Sequence, residues 1–234
     1  MLTPKRIYEE ELLDLGAGSD DDVASNLADL RRVNRWLGGM RAIQEALKMQ
    51  VSSNHQITSF LDVGTGSADI PSGVTSWCQK RGISATVTAV DISERNLRLA
   101  RSRFSISSSV DLVQADSKQL PFSEKSFDYV TASMFLHHFQ DEDVVSLLAR
   151  FARLARQAII VNDLVRNLIP YYFTRLAGPL MATSFLTRND APVSVLRGFT
   201  IDELRDLSVR AGLENVIVKR VFPYRLLLVA RTKS

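Results

Sequence analysis

From Ile57 onward, short apolar runs alternate with longer amphipathic stretches, and that alternation predicts a parallel β-sheet flanked by helices. ITSFLDV, TVTAVDI, VDLVQAD, FDYVTASM and AIIVND read as buried strands. Helix-like segments at 68–80 and 93–103 separate the first three, and one at 141–155 joins the last two, as right-handed crossovers require. A helix at 200–211 and strands at 213–220 and 222–230 finish the chain. The hairpin-length turn at 220–223 makes those two strands antiparallel and inserts the last one antiparallel into the sheet. Upstream, Asp20-Asp21-Asp22 opens an amphipathic helix bearing Val23, Leu27, Leu30, Val33 and Leu37, Gly38-Gly39 breaks it, and 41–50 forms a second. The fold class is α/β, with seven strands in one domain (53–234) and an N-terminal helical extension (1–52).

Bulk composition narrows the picture little. With 45% hydrophobic and 24% charged residues the 234-residue chain sits near globular averages, which sets aside disordered and collagen-like classes. MLTPKRIYEEE lacks the apolar core of a signal peptide, and the longest uncharged apolar stretch, 176–187, is too short to span a bilayer. A single cysteine, Cys78, excludes an internal disulfide and fits a reducing, cytoplasmic setting. The net charge of +3 is unevenly spread: residues 1–30 hold two basic against eight acidic groups, residues 150–234 fourteen against six. Both blocks read as solvated faces. No arginine-rich helix or zinc-finger spacing points to nucleic acid.

The chemistry concentrates in Phe60-Leu61-Asp62-Val63-Gly64-Thr65-Gly66-Ser67-Ala68-Asp69, a strand, a two-glycine turn and a helix start. Glycine supplies the backbone angles and the close approach that a nucleotide-bearing ligand needs. A dinucleotide fingerprint wants glycine where Asp69 stands, and a carboxylate there repels a pyrophosphate. Asp62 suits an ammonium, Asp91 at the next strand end suits a ribose, and Asp116 ends the third strand beside a base edge. Such a ring of carboxylates favours S-adenosylmethionine (SAM) over NAD.

Taken as a set, DVGTGS-x-D, VDIS, QADSKQLPFSEKSFDYV and Leu136-His137-His138-Phe139 resemble Rossmann-like class I SAM-dependent methyltransferases, especially the ubiquinone/menaquinone-biosynthesis group. The resemblance implies that Asp62, Gly64 and Gly66 hold the methionine end of SAM, Asp91 the ribose, and Asp116 with Ser117 the adenine, with Ile92 and Met134 as further cofactor contacts. Ala68 departs from the third glycine common in the group. LADLRRVNR, LTRNDAP, SVLRGFT and FPYR are similar to methyltransferases found beside bacterial type III polyketide synthases, which implies phenolic or polyketide-derived, lipophilic acceptors and favours O-methylation over C-methylation.

Ligands of open α/β sheets bind beyond the carboxyl ends of the strands, so 134–139 and Asn162-Asp163 line the acceptor side. His137 and His138 are candidate general bases there, with His138 expected to face inward. No metal is expected, because no third ligand shows obvious spacing. His55 reads as a loop residue. Residues 164–199 are long for a connection and read as a lid over an apolar pocket, with Arg166, Tyr171 and Arg197 as acceptor contacts. Trp36 and Trp77 read as helix-packing residues and Cys78 as an inert core thiol. Contact with a membrane surface is compatible with so apolar a segment. The competing readings are an NAD-dependent oxidoreductase, opposed by Asp69 and the lack of a Tyr-x-x-x-Lys pair, a nucleic-acid or protein methyltransferase, and a non-catalytic SAM-binding protein.

Overall fold

The computed structural model describes residues 3–51, 57–103 and 109–232, so His55 lies outside the described residues. Its centre is one seven-stranded sheet: β1 Thr58–Val63, β2 Ala85–Asp91, β3 Val110–Gln114, β4 Phe127–Ser133, β5 Ala155–Leu164, β6 Val216–Val221 and β7 Arg225–Arg231. The strand order is β3-β2-β1-β4-β5-β7-β6. The first five strands are parallel, and β7 runs antiparallel between β5 and β6. The order reverses between β1 and β4, which puts a crevice at their carboxyl ends.

Strict alternation along the central strands feeds two cores. Leu61, Val130, Ile159, Val161 and Leu228 face α5 (Asp141–Leu154) and α9 (Ile201–Arg210). Phe60, Tyr129, Ile160 and Leu227 face α2 (Gly39–Gln50) and α3 (Asp69–Gln79). Ile43 and Leu47 of α2 are completely buried, so α2 is a covering layer of the sheet itself. Each such side chain contributes about 1.5–3 kcal/mol by leaving water. Trp77 and Cys78 belong to that core, and burial pushes the Cys78 thiol up to about 11. Trp36 does not pack a helix; it is 72% exposed beneath the Arg35 guanidinium.

α1 (Asp20–Trp36) starts on a capping box in which Ser19 and Asp22 bond reciprocally. Its acidic character is partly structural. Asp20 pairs with Arg95 and Arg98 of α4 (Glu94–Arg103), and buried Asp29 accepts hydrogen bonds from the Thr183 and Ser184 amides. The 164–199 segment folds into α6 (Leu168–Leu176), α7 (Gly178–Met181) and α8 (Phe185–Arg197), above the carboxyl end of β5. Among the described residues no helix is long and apolar enough to cross a membrane.

Candidate functional site

β1 delivers Asp62 into the crevice and the chain then turns on Gly64 (φ +71°). A Cβ on Gly64 would lie 2.1 Å from the Phe135 ring, so both the angle and the close approach require glycine. The Val90 carbonyl accepts the Gly64 and Thr65 amides, each at 2.9 Å, while Asp91 accepts Gly66 N–H at 2.7 Å and Ser93 N–H at 2.9 Å. These bonds lock the turn to the end of β2. Ala68 holds φ +55° at the start of α3, a conformation that disfavours a Cβ by roughly 1–2 kcal/mol.

Burial pushes the Asp62 carboxyl up to about 7, although Thr131 Oγ1 donates to it at 2.6 Å. Burial likewise raises Asp91 and Asp69; Asp69 accepts bonds from Asn34 Nδ2 (3.0 Å) and Ser67 Oγ (2.9 Å). Three carboxyl groups kept from water around two glycines form a place where a cationic ligand is favoured. Asp116 follows β3 and accepts Lys118 N–H at 2.8 Å, with Ser117 buried beside it. Ile92 stands 67% exposed next to Asp91. Met134, at φ +51°, ends β4 between this cradle and the neighbouring cavity.

That cavity, of about 320 Å³, lies among α1, α6, α8, the end of β5 and the β6–β7 turn. Leu30, Val33, Ile169 and Phe173 make its wall largely apolar, and Glu11 and Arg225 are among its polar members. The sequence reading placed acceptor contacts on Arg166, Tyr171 and Arg197, and the structure corrects it: none of the three lies in the wall. Arg166 spends its donors on Pro4 O, Gly198 O and the Glu203 carboxylate. Arg197 holds the His137, His138 and Glu9 carbonyls and the Asp14 carboxylate. Tyr171 packs edge-on against Tyr172. The arginine in the wall is Arg225, fully buried at the start of β7. Its Nε donates to Leu37 O at 3.1 Å, and its Nη1 has no hydrogen-bond partner. Burial lowers its pKa to about 10 against the opposing fields of Asp163 and Asp69. A second, larger cavity of about 570 Å³ runs along α3 to the start of β2 and contains none of these carboxylates.

The histidines also differ from expectation. His137, not His138, is the buried one, while the His138 side chain is 22% exposed. His137 Nδ1 meets Asp163 Oδ1 at 2.6 Å, and its Nε2 faces Glu11 Oε1 at 3.6 Å. His138 Nδ1 meets Asp14 Oδ2 at 2.8 Å. Burial alone would lower the His137 pKa, but Asp163 and then Glu11 override it and push it to about 9. A ring held cationic at neutral pH is no general base. Burial likewise opposes the ionisation of Glu11, yet His137, His138 and Ser194 hold its carboxyl down at about 2. Asp14 and Glu11 went unnoticed in the sequence because they lie in an irregular N-terminal segment far along the chain from the histidines.

Residues 60–158 match the family model described as a methyltransferase domain. The chain is 27% identical over 177 residues to the demethylmenaquinone methyltransferase of Shouchella clausii, covering 68% of this chain and 74% of the relative. Among solved structures it is similar to human N-acetylserotonin methyltransferase in complex with SAM, at a TM-score of 0.67 and 17% identity. That match covers 98% of this chain but 63% of the human one, so this chain spans less than two thirds of that protein. A SAM-dependent methyltransferase from Aquifex aeolicus superposes with a TM-score of 0.64 and 16% identity, over 90% of this chain and 98% of the other. The chain is a SAM-dependent methyltransferase with the Rossmann-like class I fold.

Proposed function

We propose that this methyltransferase transfers the methyl group of SAM to an ionisable oxygen on a small acceptor with an apolar body, of the phenolic or polyketide-derived kind. In this reading Asp62, Gly64 and Gly66 hold the methionine end of SAM, and Asp91 with Ile92 holds the ribose and one adenine face. Asp116 and Ser117 flank the adenine edge, and Met134 separates the sulfonium from the acceptor. The helices of 164–199, with α1, roof the acceptor. In this reading residues 3–36 of the N-terminal extension close the front of the methyltransferase domain, while α2 belongs to the layer that covers its sheet.

The observation that carries the reading is Arg225. A fully buried guanidinium with an unpartnered Nη1, in a largely apolar wall, is a costly arrangement unless an oxyanion or carbonyl completes it. An anionic phenol or enol oxygen beside Arg225 needs no further base. Its lone pair attacks the methyl carbon in line, the new O–C bond forms as the C–S bond breaks, and S-adenosylhomocysteine leaves as the neutral thioether. The protein supplies alignment and a dry, cationic setting.

The test is a panel of hydroxylated phenols and pyrones offered with labelled SAM, alongside the same compounds with the hydroxyl already blocked. Turnover of the free hydroxyl forms, O-methylated by NMR, is expected. Arg225→Gln should lower turnover by about 10²-fold or more, the scale of losing one charged stabilising donor, while SAM affinity is preserved. Carbon methylation, or equal turnover of the blocked compounds, would refute oxygen as the nucleophile.

A further inference from the structure

We propose that Glu11, His137 and His138 form a binding site for a divalent transition-metal ion of the zinc type, at the wall of the acceptor cavity. One ligand atom from each of these three residues lies within 4.8 Å of the others. Two imidazoles and one carboxylate are a donor set that zinc accepts, and three protein ligands leave a fourth position open.

The second observation lies behind the ligands. Each histidine has its Nδ1 held by a carboxylate, His137 by Asp163 at 2.6 Å and His138 by Asp14 at 2.8 Å. Such a carboxylate holds the Nδ1–H and leaves Nε2 for an ion, which at His137 would displace the proton that makes the ring cationic; metal-binding imidazoles are oriented in this way. Asp163 is itself held, accepting the Phe135 and His137 amides at 3.3 Å each. Asp14 is braced by Arg197 at 3.2 Å.

The third is a distance. His137 Nε2 and Glu11 Oε1 stand 3.6 Å apart. A charge-assisted hydrogen bond would draw them to about 2.7–2.9 Å. Two ligands of one tetrahedral ion, each at about 2.0–2.2 Å from it, stand about 3.3–3.5 Å apart. Ser194 Oγ donates to the same Glu11 oxygen at 2.6 Å and fixes its position. Of the three residues Glu11 lines the cavity, so the site adjoins it through that carboxylate.

The experiment is calorimetric titration of the full chain with Zn²⁺ in the absence of SAM, so its result does not depend on the acceptor reading. One saturable site is expected, together with visible d–d bands of a four-coordinate ion when Co²⁺ replaces Zn²⁺. Glu11→Gln and His138→Gln should each weaken binding at least tenfold. Asp163→Asn, which touches no ion directly, should weaken it by about 10–100-fold. His138 is partly exposed, and circular dichroism of its variant serves as the folding control. Absence of a saturable Zn²⁺ site in the wild type, or wild-type affinity in the His138→Gln and Glu11→Gln proteins, would overturn the proposal. His137 would then be an imidazolium clamped between Glu11 and Asp163.

Discussion

In the proposed cofactor site, the single buried carboxyl of Asp62 ties SAM binding to pH. Its folded pKa, about 7, exceeds its ordinary value of 3.8, so the native state binds the proton more tightly than the unfolded chain. Without cofactor, this group makes stability fall as pH rises from about 4 to about 7, and changes nothing beyond. An ammonium placed against Asp62 favours the ionised form, so the stabilisation conferred by SAM should grow with pH over that window and level off above it. Thermal melts between pH 5 and 8, with and without SAM, read this directly. Asp62→Asn should flatten the trend, and an unchanged slope in that variant would remove Asp62 from the cofactor site. The crevice itself was legible at this scale because Asp62, Gly64, Gly66 and Asp91 each sit at a strand end that hydrophobic runs mark. The arginines were not. An arginine's role depends on which distant carbonyls and carboxylates absorb its donors, and Arg166 and Arg197 are absorbed by residues as far away as Pro4 and Glu9.

Among elements, α8 departs most from what its sequence signals. Thr187, Asp190, Ser194 and Arg197 fall on one helical face and are all buried. A hydrophobic-periodicity reading sees no clear inward stripe there, because four of the six buried positions are polar, beside Leu186 and Val195. The strands and α5 were legible for the opposite reason: their buried positions are apolar and regular. The polar face of α8 serves to fasten the N-terminal segment. Asp190 accepts the Leu12 and Leu13 amides at 2.9 and 3.1 Å, and Ser194 holds Glu11. Asp190→Ala should therefore free two amides, at about 0.5–1.5 kcal/mol each. Hydrogen exchange should accelerate over residues 8–16, with protection in β1 and β4 unchanged. Equal loss of protection in the sheet would mean that α8 braces the whole fold rather than this one strap.

For the molecule as a whole, the strap has a consequence for the order in which the protein comes into being. Arg6 donates to the Arg197 carbonyl at 2.8 Å and pairs with Asp141, Glu11 bonds Ser194, and Asp14 bonds His138 and Arg197. Residues 6–14 thus make these bonds to residues 137–197, which follow β1 to β4 along the chain. Contacts this distant along the chain are slow to form, because closing so long a loop must precede any reward. During refolding, amides of residues 11–17 should gain protection after those of β1 and β4, which pulse-labelled hydrogen exchange can time. Simultaneous protection would show the strap to be part of the folding nucleus. If it is late, a refolding chain has the proposed nucleotide cradle before it has a closed acceptor chamber, and can hold SAM while still unable to pass on its methyl group.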